Sequence, residues 1–141
     1  KRKGILVFTR FLKEAERLTM SIPGCVIVSG DTPKKERERI LEMFKVGEIP
    51  VVANVGVLTT GFDYPELDTV VMARPTMSLA MYYQIVGRCI RPHKDKEAAW
   101  FVDLCGNINR FGEVSDLHLK DTGNGKWAVF SKGRQLTNVR F

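Results

Sequence analysis

Five short apolar runs rich in β-branched residues punctuate the first 105 residues: Gly4–Thr9, Cys25–Val28, Val51–Asn54, Thr69–Ala73 and Trp100–Leu104. Amphipathic stretches fill most of the gaps between them. Parallel strands need a crossover of a dozen or more residues, usually a helix, and strands covered on both faces read as continuous apolar runs. The expectation is therefore an α/β fold, a mostly parallel sheet with helices on both faces. Phe11–Met20 predicts the first helix, with Phe11, Ala15 and Leu18 on one stripe. For the second, Thr32 reads as the N-cap and Pro33 as the first helical residue. Ile40, Leu41 and Phe44 form its apolar stripe, and Gly47 ends it. Ser78 to about Ile90 predicts a third helix, with Leu79, Tyr82, Ile85 and Val86 facing inward.

In open α/β sheets the working edge lies at the carboxyl ends of the strands. Thr9-Arg10, Ser29-Gly30, Asn54 to Asp63 and Arg74 to Thr76 all fall there. From Cys105 onward the pattern changes. Asn107, Asn109, Gly112 and Gly123-Asn124-Gly125 are turn signals, and Leu117–Lys120 with Trp127–Phe130 predict a β-hairpin. The expected division is a lobe over residues 1–105 and a C-terminal extension over 106–141, packed on the same domain.

Two segments carry chemistry. In Gln84-Ile85-Val86-Gly87-Arg88-Cys89-Ile90-Arg91 the arginines stand three apart, so both guanidinium groups leave one helix face, and Gln84 joins them. Forked permanent cations suit a phosphate, and Gly87 lets a ligand or another backbone come close. A solvated arginine face is the plainer reading of a bare pair. The second segment, Thr59-Thr60-Gly61-Phe62-Asp63-Tyr64-Pro65, follows a strand with hydroxyls, a glycine and a carboxylate, which an open sheet uses to hold a nucleotide or phosphate. It reads equally as a turn closed by Pro65.

The chain has 141 residues and a net charge of +6, which favours a polyanionic partner. Basic residues gather at Lys1–Lys3, Lys34–Arg39 and Arg88–Lys96, with Glu36 and Glu38 making part of the middle group an ion-paired surface. No apolar run approaches the roughly 20 residues of a membrane span, and no signal peptide is visible. Cys25, Cys89 and Cys105 show no C-x-x-C spacing, and neither His93 nor His118 completes a ligand pair, so no metal site is expected. A reducing compartment, cytoplasmic or nuclear, fits the cysteine usage. The chain starts at Lys1 without a methionine, as a piece of something longer would.

Together the two segments resemble motifs V and VI of superfamily 2 helicases. Gly4-Ile5-Leu6-Val7-Phe8-Thr9 resembles motif IV. Val28-Ser29-Gly30-Asp31-Thr32-Pro33 with Lys34–Arg39 resembles the strand, phosphate-contacting turn and basic helix that come next. The match runs in order from about Gly4 to Asp103. Arg74-Pro75-Thr76, Gln84–Arg91 and Asp103–Asn107 bring it nearest to RadD-like and XPB-like DNA helicases.

The resemblance implies the second RecA-like lobe of an ATP-dependent helicase or translocase, acting on a nucleic-acid strand, DNA by the subfamily likeness. It implies Arg91 as an arginine finger at the γ-phosphate, with Arg88 as its companion and Gln84 orienting Arg88 or bridging to ATP. Gly61 and Asp63 would lie near the nucleotide. Thr59, Thr60, Ser29, Gly30 and Arg37 would face the strand, and Thr9 and Arg10 could join that track. The chain lacks G-x-x-x-x-G-K-[ST] and an Asp-Glu pair after an apolar strand. ATP and Mg²⁺ would thus be held mainly by a first RecA-like lobe, and this chain alone would not turn ATP over. The alternative is a non-catalytic nucleic-acid-binding or scaffold module that kept the fold. On the motor reading Gln84 and Arg91 belong with the strand-tip crevice, and that reading depends on their pointing there.

Overall fold

A computed structural model describes residues 4–57, 64–76, 78–89, 91–123 and 126–139; for Arg88, Cys89, Val114, Leu119, Lys126, Trp127 and 137–139 it describes the backbone alone. The chain divides into two compact units, residues 1–105 and 106–141.

The first unit holds β1 (Ile5–Thr9), α1 (Leu12–Ser21), β2 (Cys25–Ser29), α2 (Lys34–Lys45), β3 (Val51–Val55), β4 (Thr69–Ala73), α3 (Leu79–Cys89) and β5 (Trp100–Asp103). All its strand pairs are parallel, in the order β2-β3-β1-β4-β5. The path from β1 to β2 runs one way across the sheet, whereas β2 to β3 and β4 to β5 run the other. Right-handed crossovers then put α1 on one face and α2 and α3 on the opposite face. Burial agrees. Leu6, Phe8, Val28, Val52, Val70 and Met72 form one core with Ile40 and Phe44 of α2 and Ile85 of α3. Alternate residues Val7, Val51 and Ala53 are buried on the other face, where α1, with its buried Ala15, packs against β1, β2 and β3. α3 packs on β4 and β5, setting Tyr82 edge-on against Phe101.

Helix ends follow local chemistry. The expected N-cap of α2 shifts by one residue. Pro33 (φ −56°, ψ 147°) is the cap, and its carbonyl accepts from Arg37 N–H at 2.9 Å. Thr32 uses its hydroxyl elsewhere, accepting from Ser29 N–H at 3.0 Å. The helix ends as expected at Gly47, whose φ of +85° suits glycine. Its N–H reaches Phe44 O at 3.2 Å, and Glu48 N–H reaches Met43 O at 2.9 Å, the paired bonds of a Schellman ending. Ser78 caps α3 by accepting from Met81 N–H at 3.2 Å.

The second unit holds α4 (Asn107–Phe111), a 3₁₀ turn at Val114–Asp116, and β6 (Leu117–Gly123), β7 (Lys126–Ser131) and β8 (Arg134–Val139) in an antiparallel meander. The hairpin expected at its start is present, and a third strand extends it. Lys132 and Gly133 both have positive φ (48° and 79°), as a two-residue type I′ hairpin turn requires. The Lys-Gly pair is a weaker turn signal than Asn-Gly, so the sequence marks β8 poorly. Arg134 donates to Arg110 O at 2.7 Å, and Lys132 pairs with Asp116 at 3.3 Å.

Gly4 has a φ of +131°, and a Cβ there would lie 2.6 Å from the Phe44 ring. Gly4→Ala should therefore destabilise the protein by about 1–3 kcal/mol, read as a lower urea midpoint with an unchanged slope.

Candidate nucleotide and nucleic-acid site

The strand register sets the carboxyl edge. Val55 stands beside both Ser29 and Thr9, and Thr9 stands beside Ala73. Parallel strands lie about 4.8 Å apart, so Ser29 and Ala73 bracket an edge about 14 Å long. Three of the four expected polar segments and the first part of the fourth, Asn54–Val57, are on it.

Individual side chains take different parts. Thr9 is buried (1% exposed), its hydroxyl donating to Asn54 O at 3.4 Å. Asn54 Oδ1 accepts from Val57 N–H at 3.1 Å and so shapes the chain leaving β3. Ser29 is buried too, and its hydroxyl accepts from Asp31 N–H at 3.3 Å. These two residues, expected to face a nucleic-acid strand, hold the strand tips in shape. Gly30 and Arg10 are exposed at the same tips. Nothing lies within 4 Å of where a Gly30 Cβ would be, and Arg10 stacks over the Phe11 ring at 5.0 Å. Arg37 is half-buried and donates to Thr32 O at 3.4 Å. Its neighbours Lys34 and Lys35 are exposed, and Arg39 pairs with Glu36, holding that carboxyl below its usual range.

The arginine segment is elsewhere. α3 leaves β4 at the carboxyl edge and runs back along the sheet. Its 11 residues span about 16 Å, the length of a five-residue strand. Arg91, two residues past the end of the helix, therefore belongs to the amino edge, not to the strand-tip crevice in which the sequence placed it. A crossover helix must return the chain to the start of the next parallel strand, so its last turn meets the opposite edge. Contacts agree: Lys96 donates to Pro65 O and Leu67 O, just before β4, and Trp100 N–H donates to Asp68 O at 2.6 Å. On α3, Gln84 is exposed and Gly87 opens on space; beyond the helix, Arg91 is half-buried. Tyr82, Ile85 and Val86 face the core as expected.

Thr59, Thr60, Gly61 and Asp63 lie outside the described residues. Val57 precedes them at the carboxyl edge, and Tyr64 follows at the amino edge. Tyr64 is 5% exposed, with its ring edge-on to Phe44 and its hydroxyl donating to Lys45 O at 3.4 Å. Tyr64, within the second sequence segment, is core packing. Lys96 counts in the sequence only as part of the basic cluster Arg88–Lys96, and no helix-period stripe flags its carbonyl partners.

Among the described residues no group of three His, Cys, Asp or Glu could hold a metal ion, and no helix is long and apolar enough to cross a membrane.

Burial first, and then the charges of Glu66 and Asp68, push the Tyr64 phenol above its usual range. A group raised by folding contributes stability below its unfolded pKa and loses it as pH climbs through the folded value. Stability should thus fall above about pH 10, and Tyr64→Phe should flatten that alkaline limb, followed by urea midpoints across pH.

The profile of the helicase conserved C-terminal domain matches residues 1–93. Over 79 residues the chain is 38% identical to IRC3 of Saccharomyces cerevisiae, whose name describes a candidate ATP-dependent helicase; the alignment covers 56% of this chain and 12% of that protein. Over 100 residues it is 36% identical to the DNA 3'-5' translocase XPB2 of Sulfurisphaera tokodaii, covering 70% and 22%. The structure of S. cerevisiae Dbp5 bound to RNA and ADP BeF3 matches with a TM-score of 0.59 at 25% identity, over 75% of this chain and 30% of that one. The chain thus spans under a quarter of the length of these two curated relatives.

Proposed function

The chain belongs to the helicase conserved C-terminal domain family, as the C-terminal, RecA-like lobe of a superfamily 2 helicase, and on that premise we propose that it supplies the arginine fingers and half of the strand track of an ATP-driven translocase. The observation that carries this reading is the outer face of α3. It presents exposed Gln84 and open Gly87 in line with the backbone position of Arg88, and leads directly to half-buried Arg91.

Phosphoryl transfer needs the phosphates and Mg²⁺ gripped, a positioned water, and cations for the charge that develops. Residues 1–141 contain neither the phosphate loop nor the Asp-Glu pair. ATP and Mg²⁺ are accordingly held by a first RecA-like lobe of the same protein, with this lobe closing on the triphosphate from the α3 side. Arg91 meets the γ-phosphate, Arg88 assists it, and Gln84 orients Arg88. Gly61 and Asp63 adjoin the nucleotide. The strand lies on the other edge, along Arg10, Gly30, Arg37, Thr59 and Thr60, with Thr9 and Ser29 shaping the tips. Contacts of that kind go mainly to backbone phosphates, so binding is largely independent of sequence. Closure on ATP and reopening after hydrolysis would shift this lobe along the strand. DNA is the strand we favour, from the identity to a DNA translocase; residues 106–141 form an extension of the lobe.

In the two-lobed protein, Arg91→Ala should lower strand-stimulated ATP hydrolysis by about 10³-fold or more while leaving oligonucleotide affinity nearly unchanged. A phosphate-release assay beside fluorescence anisotropy reads both, and unimpaired turnover would favour a scaffold instead. Residues 1–141 alone should show no ATP hydrolysis, and any turnover in the same assay would refute the division of labour between lobes. Oligonucleotide binding should weaken steeply with salt, log Kd against log salt being linear, and a flat line would count against a phosphate track.

A further inference from the structure

The stretch that follows Arg91 reads in sequence as the tail of a basic cluster, yet two of its side chains turn inward. Of residues 92–99 only His93 and Lys96 are half-buried; the other six are exposed. A turn closed by Lys96 N–H to His93 O at 3.0 Å sets them on one side. There the Lys96 ammonium donates to the carbonyls of Pro65 and Leu67, each at 3.1 Å. His93 Nδ1 accepts from Asp95 N–H at 3.2 Å, leaving Nε2 to face Glu66 Oε1 at 3.7 Å. Between them the two side chains meet residues 65–67, Lys96 at Pro65 and Leu67 and His93 at Glu66.

The gripped segment is fixed on its other sides. Tyr64 is set against Phe44 and Lys45 at the end of α2, Leu67 is fully buried, and Asp68 O accepts from Trp100 N–H. One residue, Tyr64, separates Asp63 from Pro65, and Lys96 comes five residues after Arg91.

We propose that Lys96, assisted by His93, is a positioning residue that straps the exit of the Thr59–Asp63 segment to the exit of the Gln84–Arg91 segment, so that occupancy of the strand track is felt at the triphosphate. The proposal rests on the motor-lobe reading. An ammonium on two carbonyls is a charge-assisted contact between backbones that no helix or sheet ladder joins. Without it the two segments are joined only farther on, where Trp100 N–H meets Asp68 O and the β4–β5 ladder begins. A small misplacement of groups that must meet a transition state is costly in rate.

The test uses the full two-lobed protein, with ATP hydrolysis measured with and without a single-stranded oligonucleotide, DNA and RNA in separate arms. Lys96→Met keeps the alkyl stem and removes the ammonium. Its strand-free turnover, oligonucleotide affinity and melting temperature should stay near wild type, while stimulation by the strand falls on the order of tenfold to a hundredfold. Lys96→Arg, which can again donate to both carbonyls, should restore much of the stimulation. Wild-type stimulation in Lys96→Met would overturn the proposal, as would a parallel loss of strand-free turnover and melting temperature. Should Lys96→Met fail to fold, His93→Gln reads the same ratio, and an unchanged ratio there overturns the strap. Arg91→Ala in the same assay separates the two ideas. If it turns over normally, the motor reading itself fails and the strap with it. If it is inactive while Lys96→Met is fully stimulated, only the strap fails.

Discussion

The pairing of β1 with strands on both its sides is the constraint from which the rest of the first unit follows. β1 is the middle strand of five, in register with β3 on one side and β4 on the other. Leu6 and Phe8 are all but inaccessible within the core. A central parallel strand with both edges paired has no freedom to slip, because a shift of one residue would turn its apolar set to the wrong face. It therefore fixes where β3 ends and where β4 begins. Gly4 protects that placement at the amino end by leaving room for the Phe44 ring.

Those two points define the molecule's division of labour. β3 ends at the carboxyl edge with Asn54 and Val57, and β4 begins at the amino edge after Tyr64–Asp68. Residues 58–63 lie between those two points in sequence and include hydroxyls, a glycine and a carboxylate. A connection so short, between a strand tip and the segment against which Lys96 and His93 rest, is the direct covalent route between the proposed strand track and the proposed arginine face. Coupling of this kind needs no long pathway through the core, only two rigid anchors at the ends of one short segment.

The edge strand β5 departs from the pattern of its neighbours. Phe101 faces the core beside Tyr82, but Trp100, Val102 and Leu104 are exposed at 55%, 39% and 65%. Trp100 and Val102 share the sheet face that α1 covers over β1, β2 and β3. An apolar run in the sequence thus marks a strand reliably without telling whether both its faces are covered.

What the sequence determined by itself was the class of fold and the elements that build it. Apolar runs of strand length separated by helical stripes admit few solutions, so the parallel sheet, the inward faces of α2 and α3, and the glycine ending of α2 were all legible. The residue types able to hold a phosphate were legible too, because guanidinium chemistry does not depend on context. What only the tertiary structure decided was where those residues stand. Arg91 stands away from the strand tips because a crossover helix carries its last turn to the opposite edge. Thr9 and Ser29, read as ligand-facing, are folded inward because strand tips have their own backbone groups to satisfy. Lys96, read as one more surface charge, is a clamp, since a lysine's partners are set by which distant carbonyls the fold brings within reach of its ammonium, and no local pattern records that.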